Sequence, residues 1–309
     1  MRVGMSIGIG TDTGGNLAAT LKNFKAVEDA GFASAWIPNI FGYDAIMLLA
    51  LAGQVTERIE LGTFVVPTYP RHPTALAQQA LTAAAATNNR FTLGIGLSHK
   101  IVIEGMFGLD YSKPIRHMRE YLSILDRSLT GAPTNFQGEE FRVGFQITVP
   151  GATKPPVIVA ALGPQMLKLA GRLADGTATW MGGPKYLAET AVPIISAAAK
   201  EAGRPAPRIV AGFPVALTSK PDAARQSAST TFAIYGQLPS YRAVLDVEGA
   251  ADASGVAIVG DEAEIRRQLR ALQEAGVTDF NASPFDVAED PGAPSRTTAL
   301  LASIARNGL

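Results

Sequence analysis

The 309-residue chain has no cysteine, so disulfides, thiolate metal sites and thiol nucleophiles are all excluded. Histidine is scarce as well. The three present, His72, His99 and His117, fall in different structural units, and no His-x-His pair stands on the first strand to begin a metal site, so no metal is expected. Charged residues make up only 17%, with 27 Lys plus Arg against 27 Asp plus Glu. No net field therefore draws the protein to nucleic acid or to an anionic membrane. The first ten residues are too short, and too interrupted by Gly4, Gly8 and Gly10, for a signal sequence or a spanning helix. The expectation is a soluble, cytoplasmic protein whose partner is a small molecule.

What the chain does have is apolar side chain, 47% of its residues, enough for one large core. Strands and helices alternate along it. Residues 3–9 read as a strand, and after a glycine-rich loop Leu17, Leu21, Phe24 and Val27 share one helical face that Gly31 closes. Further strands are read at 34–38, 58–66, 90–95, 156–160, 176–180, 209–217 and 278–282. Helices begin at Asp44, Thr74 and Pro114, and after Gly163, Gly183, Asp222 and Ser295. An extra helix, 261–275, opens with Asp261 and Glu264 at capping-box spacing. Residues 130–154 interrupt the pattern with a hairpin-like stretch at 136–141, read as decoration. Eight strand–helix units with continuous apolar strands favour a (β/α)8 TIM barrel over an open doubly wound sheet. It is read as one domain over 1–309 with an insertion at about 130–154.

In such a barrel the site lies at the carboxyl ends of the strands. The most informative end is Leu93-Gly94-Ile95-Gly96-Leu97-Ser98-His99, which places a glycine-lined backbone, a hydroxyl and an imidazole just past a buried strand. Asn39 and His72 follow strands two and three. No paired carboxylates stand at glycosidase separation, and no lysine lies inside a strand to form a Schiff base. His117, mid-helix beside Arg116, reads as a satisfied surface imidazole. Two neighbouring loops, Ala161-Leu162-Gly163-Pro164-Gln165-Met166 and Trp180-Met181-Gly182-Gly183-Pro184, turn from strand into helix. Free N–H groups at such helix starts suit an anion such as phosphate. Lys100, Arg71 and Lys168 are the nearest cations by sequence.

These segments, with Ala30-Gly31-Phe32-Ala33-Ser34-Ala35-Trp36, Leu61 to Pro67, Arg71-His72-Pro73-Thr74, Met166 to Gly176 and Glu274 to Thr278, resemble the bacterial luciferase-like superfamily. Within it they resemble the oxidoreductases that use the 8-hydroxy-5-deazaflavin coenzyme F420. The resemblance implies a luciferase-like barrel whose mouth holds the coenzyme, with a non-proline cis peptide at Phe64–Val65. It implies cofactor contacts from Thr63, Phe64, Val65, Gly96, Ser98, His99, Gly163, Gln165, Met166, Trp180, Gly182 and Gly183, with His99 and Asn39 as catalytic candidates. The expected reaction is hydride transfer to or from a small organic substrate, in a homo-oligomer taken to be a dimer. Alternatives are a flavin mononucleotide (FMN) monooxygenase, a methylenetetrahydromethanopterin-reductase-like enzyme and a non-catalytic flavin-binding barrel. The sequence departs from sugar-phosphate dehydrogenases of the family, reading Pro38-Asn39 after strand two and Gly96-Leu97-Ser98 after strand four, so glucose 6-phosphate is not expected as substrate.

Overall fold

The computed structural model describes residues 1–8 and 16–309. The expected end of the first strand and the glycines of the loop after it lie outside these. Eight parallel strands, β1 (Arg2–Ser6), β2 (Ser34–Ile37), β3 (Glu60–Thr63), β4 (Phe91–Gly96), β5 (Val157–Ala160), β6 (Gly176–Trp180), β7 (Arg208–Leu217) and β8 (Asp279–Pro284), pair in chain order. The sheet closes where β8 pairs with β1, Asn281 lying beside Gly4. Helices surround this barrel. The run at 58–66 is one strand in sequence but not in space: a cis peptide at Phe64–Val65 separates β3 from a short extension, Val66–Pro67, that runs beside β4.

The interior is filled in layers, as a closed eight-strand barrel requires. At the amino-terminal end Arg2, Glu60, Arg208 and Asp279 form one ionic layer, with N···O distances of 2.7–3.1 Å, and Thr92 donates to Glu60 at 2.7 Å. Above it the fully buried Trp36 fills the centre, its indole N–H donating to Ser34 Oγ at 2.8 Å. A Cβ at Gly62 would lie 2.2 Å from that ring, so the large side chain and the missing one are complementary. The third layer holds Phe64 and Trp180, which meet over Gly212, where a Cβ would approach them to 2.8 and 2.9 Å.

Two readings of the sequence need correction. His117 is not at the surface. It lies on the inner face of the helix Pro114–Ser128, is 6% exposed, and its ring nitrogens meet Glu140 at 3.1 Å and Thr68 Oγ1 at 3.0 Å. The reason is the insertion, whose hairpin Thr134–Gln137/Arg142–Phe145 covers that face. The hairpin is therefore more than decoration. The Glu120 carboxylate accepts the N–H groups of Glu139, Glu140 and Phe141, which fixes its turn and holds that carboxyl below its ordinary pKa. The sequence pattern gives no clear signal for three further elements, the helices Lys100–Gly105 and Pro239–Glu248 and the strand Ile258–Gly260.

Candidate active site

A cavity of about 870 Å³ opens at the carboxyl-terminal end of the barrel, within the range of small-molecule and cofactor sites. Its floor is the third interior layer, and its walls are the loops after β2, β4, β5 and β7. The wall at β4 shows why the glycines are there. A Cβ at Gly94 would sit 2.0 Å from the Thr63 carbonyl oxygen, and one at Gly96 would sit 2.7 Å from Val65 Cγ2. The bulge carrying the cis peptide presses on β4, and only glycine lets the two backbones approach so closely. The same pair of strands is locked by Thr63, whose hydroxyl donates to Gly94 O and accepts Gly94 N–H, both at 2.7 Å.

Beyond β4 the chain turns sharply. Ser98 sits in the left-handed region at φ 60°, where non-glycine residues are uncommon, and Tyr111 donates to its carbonyl at 3.3 Å. Tyr111 stacks on Tyr69, and Tyr69 lies flat on His117 at 4.0 Å between ring centres. Thr68, which His117 holds, donates its N–H to Gly96 O at 2.9 Å. The insertion is thus connected through His117 to both ends of the Gly96–Ser98 turn. His99 follows, half-buried at the cavity wall, with its ring 6.0 Å from that of Tyr241. Burial lowers its pKa from the ordinary imidazole value, so the neutral ring is favoured at pH 7.

Of the residues picked out in sequence, Asn39, Phe64, Val65, Gly96, Ser98, His99, Gly163, Met166 and Trp180 line this one cavity. Thr63, Gln165, Gly182 and Gly183 do not. Asn39 is already in use: its side-chain oxygen accepts Ala45 N–H at 3.0 Å, and Arg71, itself ion-paired with Asp44, lies beside it. His72 caps a helix, accepting Thr74 N–H at 3.2 Å. The two anion loops differ. Gly163 opens the helix Pro164–Leu173 with no side-chain cap and open space where its Cβ would be. The start after Gly183 is filled by the chain's own Glu248, whose carboxylate accepts Tyr186 N–H at 2.5 Å. Reading along the sequence missed Tyr235, Leu238 and Tyr241 on the remaining wall. The aromatic run Phe232–Tyr235–Tyr241 between β7 and β8 was their only signal.

Does the site suit a flavin-like ring? The indole N–H of Trp180 is buried with no hydrogen-bond partner, an unsatisfied donor beside the cavity floor that a ligand acceptor would pair. The floor itself is apolar, and the uncapped helix at Gly163 offers N–H groups to an anion. The described residues lining the cavity include no Asp, Glu or Lys, and no cluster able to hold a metal occurs among the described residues. These features fit a planar ring with a phosphate-bearing tail. No helix among them is long and apolar enough to cross a membrane.

The comparisons agree with this shape. Residues 1–279 match the luciferase-like monooxygenase family. A protein of Mycobacterium tuberculosis named as a putative coenzyme F420-dependent oxidoreductase is 34% identical over 168 residues, 49% of this chain and 48% of that protein. The chain thus spans about half the length of that relative. Among solved structures, the coenzyme F420-dependent tetrahydromethanopterin reductase of Methanopyrus kandleri superposes with a TM-score of 0.77 at 23% identity, covering 97% of each chain. The oxygenating constituent of 3,6-diketocamphane monooxygenase from Pseudomonas putida, solved with FMN, gives a TM-score of 0.77 at 18% identity and covers 100% of this chain and 99% of that one.

Proposed function

Because the chain belongs to the luciferase-like monooxygenase family, we propose that it is an oxidoreductase that uses coenzyme F420 to move a hydride between the deazaflavin ring and a small organic substrate. The observation that carries this reading is the cavity floor, where Phe64 and Val65 of the cis peptide, Trp180 and Gly96 form an apolar bed beside the His99 imidazole. Bound there, the deazaflavin supplies or accepts one hydride and reacts poorly with oxygen.

The protein's part is placement and proton handling. The bed of Phe64, Val65 and Trp180 would exclude water, and the cavity walls would hold substrate and coenzyme ring against each other. His99 is the titratable side chain best placed to serve the substrate oxygen: its neutral ring accepts a proton when an alcohol is oxidised and, once protonated, returns it when a carbonyl is reduced. Trp180 N–H and the N–H groups at the Gly163 helix start would hold ring and phosphate. The test is a single turnover without oxygen, using coenzyme carrying deuterium at the transferring carbon. Deuterium in the product is expected. An unlabelled product together with a requirement for oxygen would transfer the reading to an FMN monooxygenase.

A further inference from the structure

We propose that the outer chamber of this cavity selects an uncharged, apolar substrate; the inference rests on the inner bed being occupied by the coenzyme ring. The mouth is built from large apolar side chains that a soluble surface ordinarily hides. Ile40 and Phe41 follow β2, Ile101 and Phe107 follow β4, and Ile234 follows β7, with exposures of 41–70%. They arise from three separate loops yet border one opening. Phe41 and Phe107 meet edge to face across it, ring centres 6.3 Å apart. Contiguous exposed apolar surface of this kind marks a binding surface rather than ordinary scatter, and here it continues into a cavity that needs an occupant.

Charge gives the second half of the argument. Among the described lining residues Arg71 is the only one with a fixed charge, and it is already ion-paired with Asp44. Lys100, beside His99, is highly exposed, faces Glu104 at 3.7 Å and does not line the cavity. An anionic substrate would give up its hydration without gaining a free cation, a loss that apolar contact does not offset. An uncharged molecule loses far less, and each side chain it covers at the rim adds apolar burial. The other polar side chains of the lining, among them Asn39, Ser98, His99, Tyr235 and Tyr241, carry no fixed charge, so they suit a polar atom of an uncharged ligand.

Three naphthalenes of similar shape test this: 2-naphthamide, 2-naphthoate and 2-naphthylmethylammonium, each titrated calorimetrically into the whole protein in the presence of excess coenzyme F420. The amide should bind at least about tenfold tighter than either ion. Phe41→Ser and Phe107→Ser, at exposed positions, should each weaken it about fivefold while leaving coenzyme F420 affinity, followed by fluorescence, within about twofold. Equal or tighter binding of either ion, or amide binding indifferent to both variants, overturns the proposal. The two readings fail separately: the amide pattern without F420 binding leaves the apolar rim and removes the proposed coenzyme, whereas F420 binding without the pattern removes the rim proposal alone.

Discussion

The two ends of the barrel handle charge in opposite ways. At the amino-terminal end four ionisable side chains from β1, β3, β7 and β8 are packed into one ionic layer, with Asp279 almost fully buried. At the carboxyl-terminal end the described lining of a cavity of about 870 Å³ holds a single fixed charge, already paired. Burial of charge is tolerated where partners surround it on every side. Arg208 shows this, since Asp279 and Glu60 raise its pKa despite the desolvation that would lower it. The open end has no such lattice of partners, and there burial acts alone, lowering the pKa of His99. One end is built to be closed and permanent, the other to be empty of competing charge when a ligand arrives.

The sharpest way to break this contrast is at the closed end. Asp279→Ala removes an ion-pair partner from both Arg2 and Arg208, leaves Glu60 as the one acid shared by two guanidinium groups, and should cost about 3 kcal/mol. Denaturant unfolding measures it, and the protein that stays folded should bind ligands at the other end unchanged. A loss below about 1 kcal/mol would mean that the ionic layer has no such weight.

At the open end the effect should fall on rate rather than stability. His99→Gln is expected to lower turnover about 100-fold while changing unfolding free energy by no more than about 0.5 kcal/mol. Its pH dependence has a definite sign. A lowered pKa keeps the ring neutral to more acid pH than free imidazole, so alcohol oxidation should hold its rate from pH 7 to about 6.5 and decline only below that. A wild-type rate that declines above the free-imidazole pKa would assign the proton step to another group.

The smallest expected effect sharpens the contrast further, because it moves stability and binding in opposite directions. Gly163→Asp adds a carboxylate where space is open and the helix lacks a cap. The helix should gain up to about 1 kcal/mol from capping and dipole interaction, and affinity for the phosphate-bearing coenzyme should fall about tenfold. Fluorescence titration beside thermal unfolding reads both. Unchanged affinity would move the phosphate away from this loop.

How much of the site could be read along the chain depended on how local each signal was. Gly94, Gly96, Ser98 and His99 are contiguous, and their placement past a strand points to a site by itself. Phe64–Val65 entered through resemblance, and the cis peptide was found there. Gly182 and Gly183 have the same local pattern as Gly163, yet Glu248, more than sixty residues away, fills their helix start. His117 looked like a surface residue for a similar reason: what buries it is a hairpin whose docking depends on Glu120 and Phe141.

By itself the sequence determined the alternation of strand and helix, and with it the barrel and the end of the barrel at which a ligand must bind, because side-chain periodicity and turn chemistry act over a few residues. Only the tertiary structure decided which candidates share one cavity. It decided that the β4 glycines answer to a bulge on the neighbouring strand, that His117 is buried, that one of two matching helix starts is already capped, and that tyrosines from beyond β7 complete the wall. Each of these depends on contacts between residues far apart in the chain, and such contacts exist only once the strands have closed.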